Sequence, residues 1–243
     1  MSNIKHLPYE IDPVGNRNHF YETLWKRVAL DLLVKHEPQL NGLSLLDYGC
    51  GRGETMELAE ERGMIPQGTD MDPHCVELAS KYGQTHVLSP EDPVSQFGAK
   101  SFDVVACFHV LEHVPRPLET LVHLREIARR YVLVAVPNLS RPKDYLRRRN
   151  WDTPINEGHL QSWDHSHWRN LAELHASLRI IEWGFDATIL PPISSVLCRL
   201  FGQKTAISFE TGLFRKLWPY GSTSVIALME ASPDTINRSV LEP

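Results

Sequence analysis

Two stretches combine residue types and spacings that could do chemistry. The first is D-Y-G-C-G-R-G, Asp47 to Gly53, entered from the apolar Leu43, Leu45 and Leu46 and followed by the helix formers Glu54 to Leu58. Glycines at alternate positions let backbone N–H and C=O groups approach a ligand with no Cβ in the way. The helix N-terminus behind them favours the anionic end of that ligand. Two nucleotide motifs fail on spacing. A dinucleotide fingerprint needs a third glycine three residues after Gly51, where Glu54 stands, and a P-loop needs Lys and Ser or Thr after Gly53. The second stretch is H-V-L-E-H, His109 to His113, directly after the apolar run FDVVACF. It offers two imidazoles and a carboxylate, and imidazole is the side chain best suited to take a proton near neutral pH.

Such residues need a scaffold that gathers strand ends on one rim. Helical spacing of Phe20, Leu24, Val28, Leu32 and Leu33 predicts an amphipathic helix over 16–36, stopped by Pro38. A strand ends in the glycine turn, and a helix from Glu54 to Arg62 is closed by Gly63. A second strand spans 66–72, a helix runs from Pro73 to Gly83, and a short strand covers 85–88. After a loop of acids and prolines come a strand over 102–108, a helix from Pro117 to Arg130 and a strand over 131–137. A helix over 164–177, a strand over 178–190, a helical segment over 191–219 and a closing strand from Ser222 complete the chain. Alternating strands and helices imply a parallel sheet with right-handed crossovers and a ligand crevice at the strands' carboxyl ends. Asp70 falls at that end of the second strand, beside Gly49 and Gly51, where a carboxylate can accept hydrogen bonds from both hydroxyls of a ribose. The plainer role, capping the next helix, suits Asp72 better because it directly precedes Pro73.

The acid-then-glycine pattern from Asp47, together with FDVV…VLEHV…P, resembles the class I S-adenosylmethionine-dependent methyltransferases. The match is to the small-molecule enzymes like those of the ubiquinone pathway (types 11 and 23), and it spans Leu43 to Pro137. The resemblance implies one domain over 1–243. Its fold would be α/β, a doubly wound, mostly parallel seven-stranded sheet with helices on both faces and a C-terminal antiparallel strand. It implies S-adenosyl-L-methionine as methyl donor and S-adenosyl-L-homocysteine as product. Asp47, Gly49, Cys50 and Gly51 would approach the methionine part, Asp70 the ribose and Met71 the adenine face, with Cys107 in the cofactor set. An acid usually faces the adenine amino group where Pro90 stands here, so Glu91 or Asp92 would substitute, or either is a solvated loop acid.

Methyl transfer from a sulfonium needs alignment and exclusion of water, and proximity of this kind supplies roughly 7–11 kcal/mol. A hydroxyl or protonated amine acceptor also needs a base. The catalytic candidates are His113, His109 and His159, the last in EGHLQSW, where similar enzymes carry a His; each could instead be a hydrogen-bonded histidine that positions a loop. His165 and His167 belong to a helix start at Asp164. His109, Glu112 and His113 with His159 also resemble the E-x-x-E-H plus His set of magnesium-dependent RNA 2′-O-methyltransferases. Magnesium prefers oxygen ligands, and His109 replaces a carboxylate, so zinc, iron or manganese would suit better. No bound metal is expected.

Composition is that of an ordinary globular chain: 243 residues, 42% hydrophobic, 23% charged, formal net charge −5. The start lacks a signal-peptide core and no apolar run reaches membrane-spanning length, so a cytoplasmic protein with no membrane partner is expected. The cysteines, Cys50, Cys75, Cys107 and Cys198, form no C-x-x-C pair and read as reduced thiols. Oligomeric state is left open. The acceptor expected is a small molecule with an O, N or C nucleophile. A nucleic-acid acceptor is the alternative: eight Lys and Arg against two acids lie between Arg125 and Arg149, but no recognised RNA module is present. A cofactor-binding scaffold without activity is a third, disfavoured by the crevice histidines. Segments 138–163 and 191–219, with Trp151 and Trp163, are expected to cover the acceptor; for the first, a solvated basic loop is the equal alternative.

Overall fold

Residues 17–88, 93–142 and 158–231 are described by the structure, a computed structural model. Glu91, Asp92 and Trp151 lie outside the described residues, as does the greater part of the 138–163 segment.

The chain forms α1 (Arg17–His36), β1 (Ser44–Tyr48), α2 (Glu54–Glu60), β2 (Ile65–Asp70), α3 (Pro73–Ala79), β3 (Gln84–Val87) and α4 (Pro93–Phe97). Then come β4 (Phe102–Phe108), α5 (Pro117–Ile127), β5 (Ala128–Pro137) and α6 (His165–Arg169), which continues as a wider turn over Asn170–His175. β6 (Arg179–Gly184), α7 (Ile193–Phe201), α8 (Gln203–Phe209), the helical continuation of α8 to Leu217, and β7 (Ser224–Glu230) close it. The sheet order is β3-β2-β1-β4-β5-β7-β6; the first five strands are parallel and β7 runs antiparallel between β5 and β6. This is the doubly wound, mostly parallel arrangement expected, with its antiparallel strand beside the sixth.

Why both faces are covered is visible along β4. Val105 and Cys107 pack with Leu121 and Leu124 of α5, Trp168 of α6 and Ala172 of its wider turn. Val104, Ala106 and Phe108 pack with Ala29, Leu30 and Leu33 of α1 and Ala59 of α2. Period-two alternation therefore sends apolar side chains to two cores, and the strand reads as one continuous apolar run.

Three boundaries differ from expectation. β5 starts at Ala128, not at Tyr131, because Phe102 pairs with Ala128 before a register shift at Asp103. Asp103 holds that shift by accepting from Ser44 N at 3.0 Å and pairing with Arg129 at 2.5 Å. The α6 segment is a short helix ending in the wider turn, and Ser177, at φ 54°, reverses the chain. β6 ends at Gly184 rather than near 190 because Asp186 turns inward. Its buried carboxylate accepts from Ala187 N at 2.7 Å and Thr223 N at 2.8 Å, and also from the Thr223 hydroxyl. That knot seats β7 between its neighbours. Asp186→Ala leaves the buried Ala187 N without its acceptor, a cost of about 1–3 kcal/mol, while Thr223 N keeps Ala187 O at 2.9 Å; urea unfolding should show a loss of at least that size, and a smaller change would mean that β7 is held by packing alone.

Candidate active site

The carboxyl ends of β1, β2 and β4 meet on one rim. Gly49 N and Cys50 N both donate to Thr69 O, at 2.8 and 2.9 Å, so the glycine turn is tied to β2. Gly49 has φ 84°, and a Cβ there would collide with Val110 of the histidine turn. Gly51 has φ 52°, yet a Cβ there would meet nothing within 4 Å. One glycine is needed for close packing of the two turns; the other opens onto the crevice.

Asp70 rigidifies that opening. Its carboxylate accepts from Gly51 N and from Asp72 N, each at 2.9 Å. Asp72, not Asp70, caps α3, accepting from His74 N at 2.9 Å. Asp70 is only half-buried and retains further acceptor positions, so its placement fits a ligand diol. Met71 beside it is 65% exposed.

Asp47 sits beneath the turn, 1% exposed, and its Oδ2 has no partner among the described residues. Burial pushes its pKa up to about 7, against the opposing pull of Lys26 and a hydrogen bond with Thr55. Lys26, on α1, pairs with Glu54 at 2.9 Å, where α2 begins. Neither partner was anticipated from sequence. A buried carboxyl with an idle oxygen and an open backbone cradle fit a ligand carrying a cation and a diol.

Two residues expected in the cofactor set contribute differently. Cys107 is fully buried in the core against α5 and α6, so it is a packing residue and leaves the set; the alternation of β4 turns it away from the crevice. The Cys50 side chain packs with Met56 and Ala79, so only its backbone belongs to the turn.

The second half of the rim is the turn after β4. His109 takes φ 54°, unusual outside glycine and a common mark of functional turns. Its Nδ1 lies 3.1 Å from Glu112 Oε1, its Nε2 lies 3.4 Å from Ser224 Oγ at the start of β7, and Trp25 of α1 packs on its ring at 4.6 Å. Both ring nitrogens are engaged, so His109 is a positioning group rather than a free base. Trp25 and Ser224 carry no motif signal; they reach this point only through the fold.

His113 is different. Its Nδ1 stands 2.9 Å from Gly158 O, and a carbonyl only accepts, so Nδ1 donates and Nε2 is the nitrogen not used in that bond. Nε2 lies 3.9 Å from Glu112 Oε1. His159 packs edge-on against His113 at 4.9 Å, and burial holds its pKa below the usual imidazole value. Leu160 N and Gln161 N donate to Glu112 O, which brings this segment onto the turn. Glu112 is fully buried and its Oε2 has no partner among the described residues. Among the described residues, Glu112, His113 and His159 hold ligand atoms within 4.8 Å of one another. His165 lies apart, among Trp183, Phe185 and Tyr220, its pKa lowered by burial to about 4. Trp163 is buried against Trp168 and bridges to Asn138, so it is core, not lid.

A family profile for a methyltransferase domain matches residues 17–176. The chain belongs to this methyltransferase family. The matched region contains every crevice element described above except β7. The ubiquinone biosynthesis O-methyltransferase of Saccharophagus degradans is 31% identical over 120 residues, 46% of this chain and 51% of that protein. The same enzyme of Vibrio vulnificus is 32% identical over 100 residues, 39% of this chain and 43% of that one. The chain thus spans about half the length of these curated relatives in the matches. Among solved structures, magnesium protoporphyrin IX methyltransferase from Synechocystis, with bound S-adenosylhomocysteine, superposes with TM-score 0.61 at 17% identity over 91% of this chain and 90% of that one. The 1,6-didemethyltoxoflavin-N1-methyltransferase of Burkholderia thailandensis gives 0.55 at 17% identity over 88% and 81%. The fold is that of the class I S-adenosylmethionine-dependent methyltransferases.

Two outcomes test the cofactor half of the site. Asp70→Ala should weaken S-adenosylhomocysteine binding by a factor of about 10² or more, since two hydrogen bonds to a charged acceptor, each worth about 1.5–3 kcal/mol, disappear; unchanged affinity by calorimetry would take Asp70 off the ligand. The second concerns stability of the ligand-free protein. Asp47 is raised in the folded state, so between its unfolded value and about 7 the folded form holds the proton and the unfolded form does not. Its contribution therefore declines as pH rises through that window and is flat above it. Asp47→Asn should gain stability relative to the native protein as pH increases from about 4 to about 7, and a difference independent of pH would show that Asp47 is not strained by burial.

Proposed function

We propose that the protein transfers a methyl group from S-adenosylmethionine to a small-molecule acceptor held over the histidine turn. The observation that carries this is the joining, through Gly49 against Val110, of a cation-and-diol cradle to a buried Glu112 with His113 and His159. Asp47, the Gly49–Gly51 backbone, Asp70 and Met71 would hold the cofactor, the idle Asp47 oxygen suiting the ammonium of its methionine part. The bound cofactor supplies an activated methyl group. The chain's own residues do the rest. Asp70 and the turn fix the donor's position, Glu112 and Ser224 hold His109 in one tautomer, and Gly158 leaves His113 Nε2 free to take the acceptor's proton. The names of the partial-length relatives favour a hydroxyl acceptor over an amine or carbon. The segment from α7 to Tyr220 would cover the acceptor: Thr188 binds Glu210 O and Trp218 O, and Asn138 binds Tyr220 O at 2.9 Å, anchoring it at the end of β5. Cytoplasmic residence belongs to the same proposal; among the described residues no helix is long and apolar enough to cross a membrane.

A second reading has its own support. The unpartnered Glu112 Oε2 beside His113 and His159 makes a carboxylate and two imidazoles that suit zinc, iron or manganese, and a metal there would orient a hydroxyl acceptor and lower its pKa. His109 stands outside that set.

Transfer of labelled methyl from S-adenosylmethionine into a panel of phenols and catechols tests the function. His113→Ala should lower turnover by about 10²–10⁴-fold with S-adenosylhomocysteine affinity nearly unchanged. Turnover insensitive to His113 would leave positioning as the source of rate. Loss of activity on chelation, restored by a divalent metal, would select the second reading.

A further inference from the structure

The α7–α8 insertion presents its apolar residues outward. The single buried residue of α7 is a serine, Ser194, while Ile193, Val196 and Leu200, at helical spacing i, i+3, i+7, are all half exposed or more. Phe201 follows at 65% exposure. The helix from α8 onward turns Ala206, Glu210 and Phe214 inward, yet Phe209, Leu213 and Leu217 stand outward at four-residue steps, Leu217 at 72%, with Trp218 beside it at 50%. For α7 this is the reverse of a helix packed on a core.

The exposed charged residues of the insertion are of one sign. Arg199, Lys204 and Lys216 are exposed and have no ion-pair partner among the described residues. The sole acid between 191 and 221 is Glu210, which is buried and bonded to Tyr21 of α1. A chain of net charge −5 thus carries a cationic, apolar-tipped projection. A second copy of the chain seated on it would bring those cations face to face, a like-charge juxtaposition that disfavours self-pairing. Apolar side chains with flanking Lys and Arg, and a Trp at the edge, match an anionic lipid surface.

We propose that the α7–α8 insertion is an interfacial docking element for anionic membranes, lying on the surface without spanning it. The insertion leads into β7, whose first residue, Ser224, has its hydroxyl 3.4 Å from His109 Nε2, so docking would set the crevice mouth at the lipid boundary. The proposal does not depend on the methyl acceptor.

Sedimentation with vesicles decides it. The full chain should bind vesicles of phosphatidylcholine mixed with phosphatidylglycerol, bind pure phosphatidylcholine weakly, and be released as salt rises. Leu200→Ser with Leu217→Ser should lower partitioning by roughly tenfold per side chain, and Lys204→Glu with Lys216→Glu should abolish the preference for the anionic vesicles. Both pairs are at exposed positions, and S-adenosylhomocysteine affinity and thermal midpoint, measured alongside, should not move. Failure of the native chain to bind anionic vesicles would overturn the proposal. So would equal binding by the serine variant, or a dimer in solution that the serine variant converts to a monomer.

Discussion

Everything on the crevice rim is arranged around a carboxyl that has been buried without enough partners. Asp47, next to last in β1, lies under the glycine turn, is almost wholly shut off from water, and keeps one oxygen idle among the described residues. Burying a charge in this way is costly unless something opposite in sign arrives, and the raised pKa is the protein's response in the ligand-free state. Lys26 approaches from α1 but is committed to Glu54. The same stretch forces Gly49 into a left-handed conformation against Val110, which couples the cofactor cradle to the turn bearing Glu112 and His113. One short segment therefore sets both halves of the site.

The histidine turn follows the same logic at smaller scale. Glu112 is buried, and three imidazoles converge on or near it. What separates their roles is hydrogen bonding. His109 has both nitrogens occupied, one by Glu112 and the other by a hydroxyl from the far end of the chain. His113 spends one nitrogen on a backbone carbonyl and presents the other. A spent nitrogen positions; a presented one reacts or coordinates.

Local signals made the cofactor half legible in sequence. Glycine spacing, the acid ending β2 and Asp72 before Pro73 are features of adjacent residues, and the structure keeps them together, Asp70 with Gly51 and Asp72 with His74. The apolar runs made the sheet legible because both faces of it are covered. The rest depended on contacts distant in the chain. Trp25 and Lys26 look like ordinary residues of an amphipathic helix, and Ser224 like the start of a strand; only packing brings them to His109 and Glu54. The rim position of Cys107 is legible in sequence, but the face to which β4 turns it, toward the core, is not. Trp163 sat in a polar, irregular stretch and looked exposed, yet its partner Trp168 lies one helix start away.

Calorimetric titration of S-adenosylhomocysteine at pH 7, in two buffers of different ionisation enthalpy, tests the central claim most directly. If the ligand's ammonium settles against the idle oxygen of Asp47, the acid ionises and the native protein releases protons on binding. Asp47→Asn should then bind with the same heat in both buffers. Binding without buffer dependence in the native protein would contradict the account, because the buried carboxyl would not be what the cofactor neutralises.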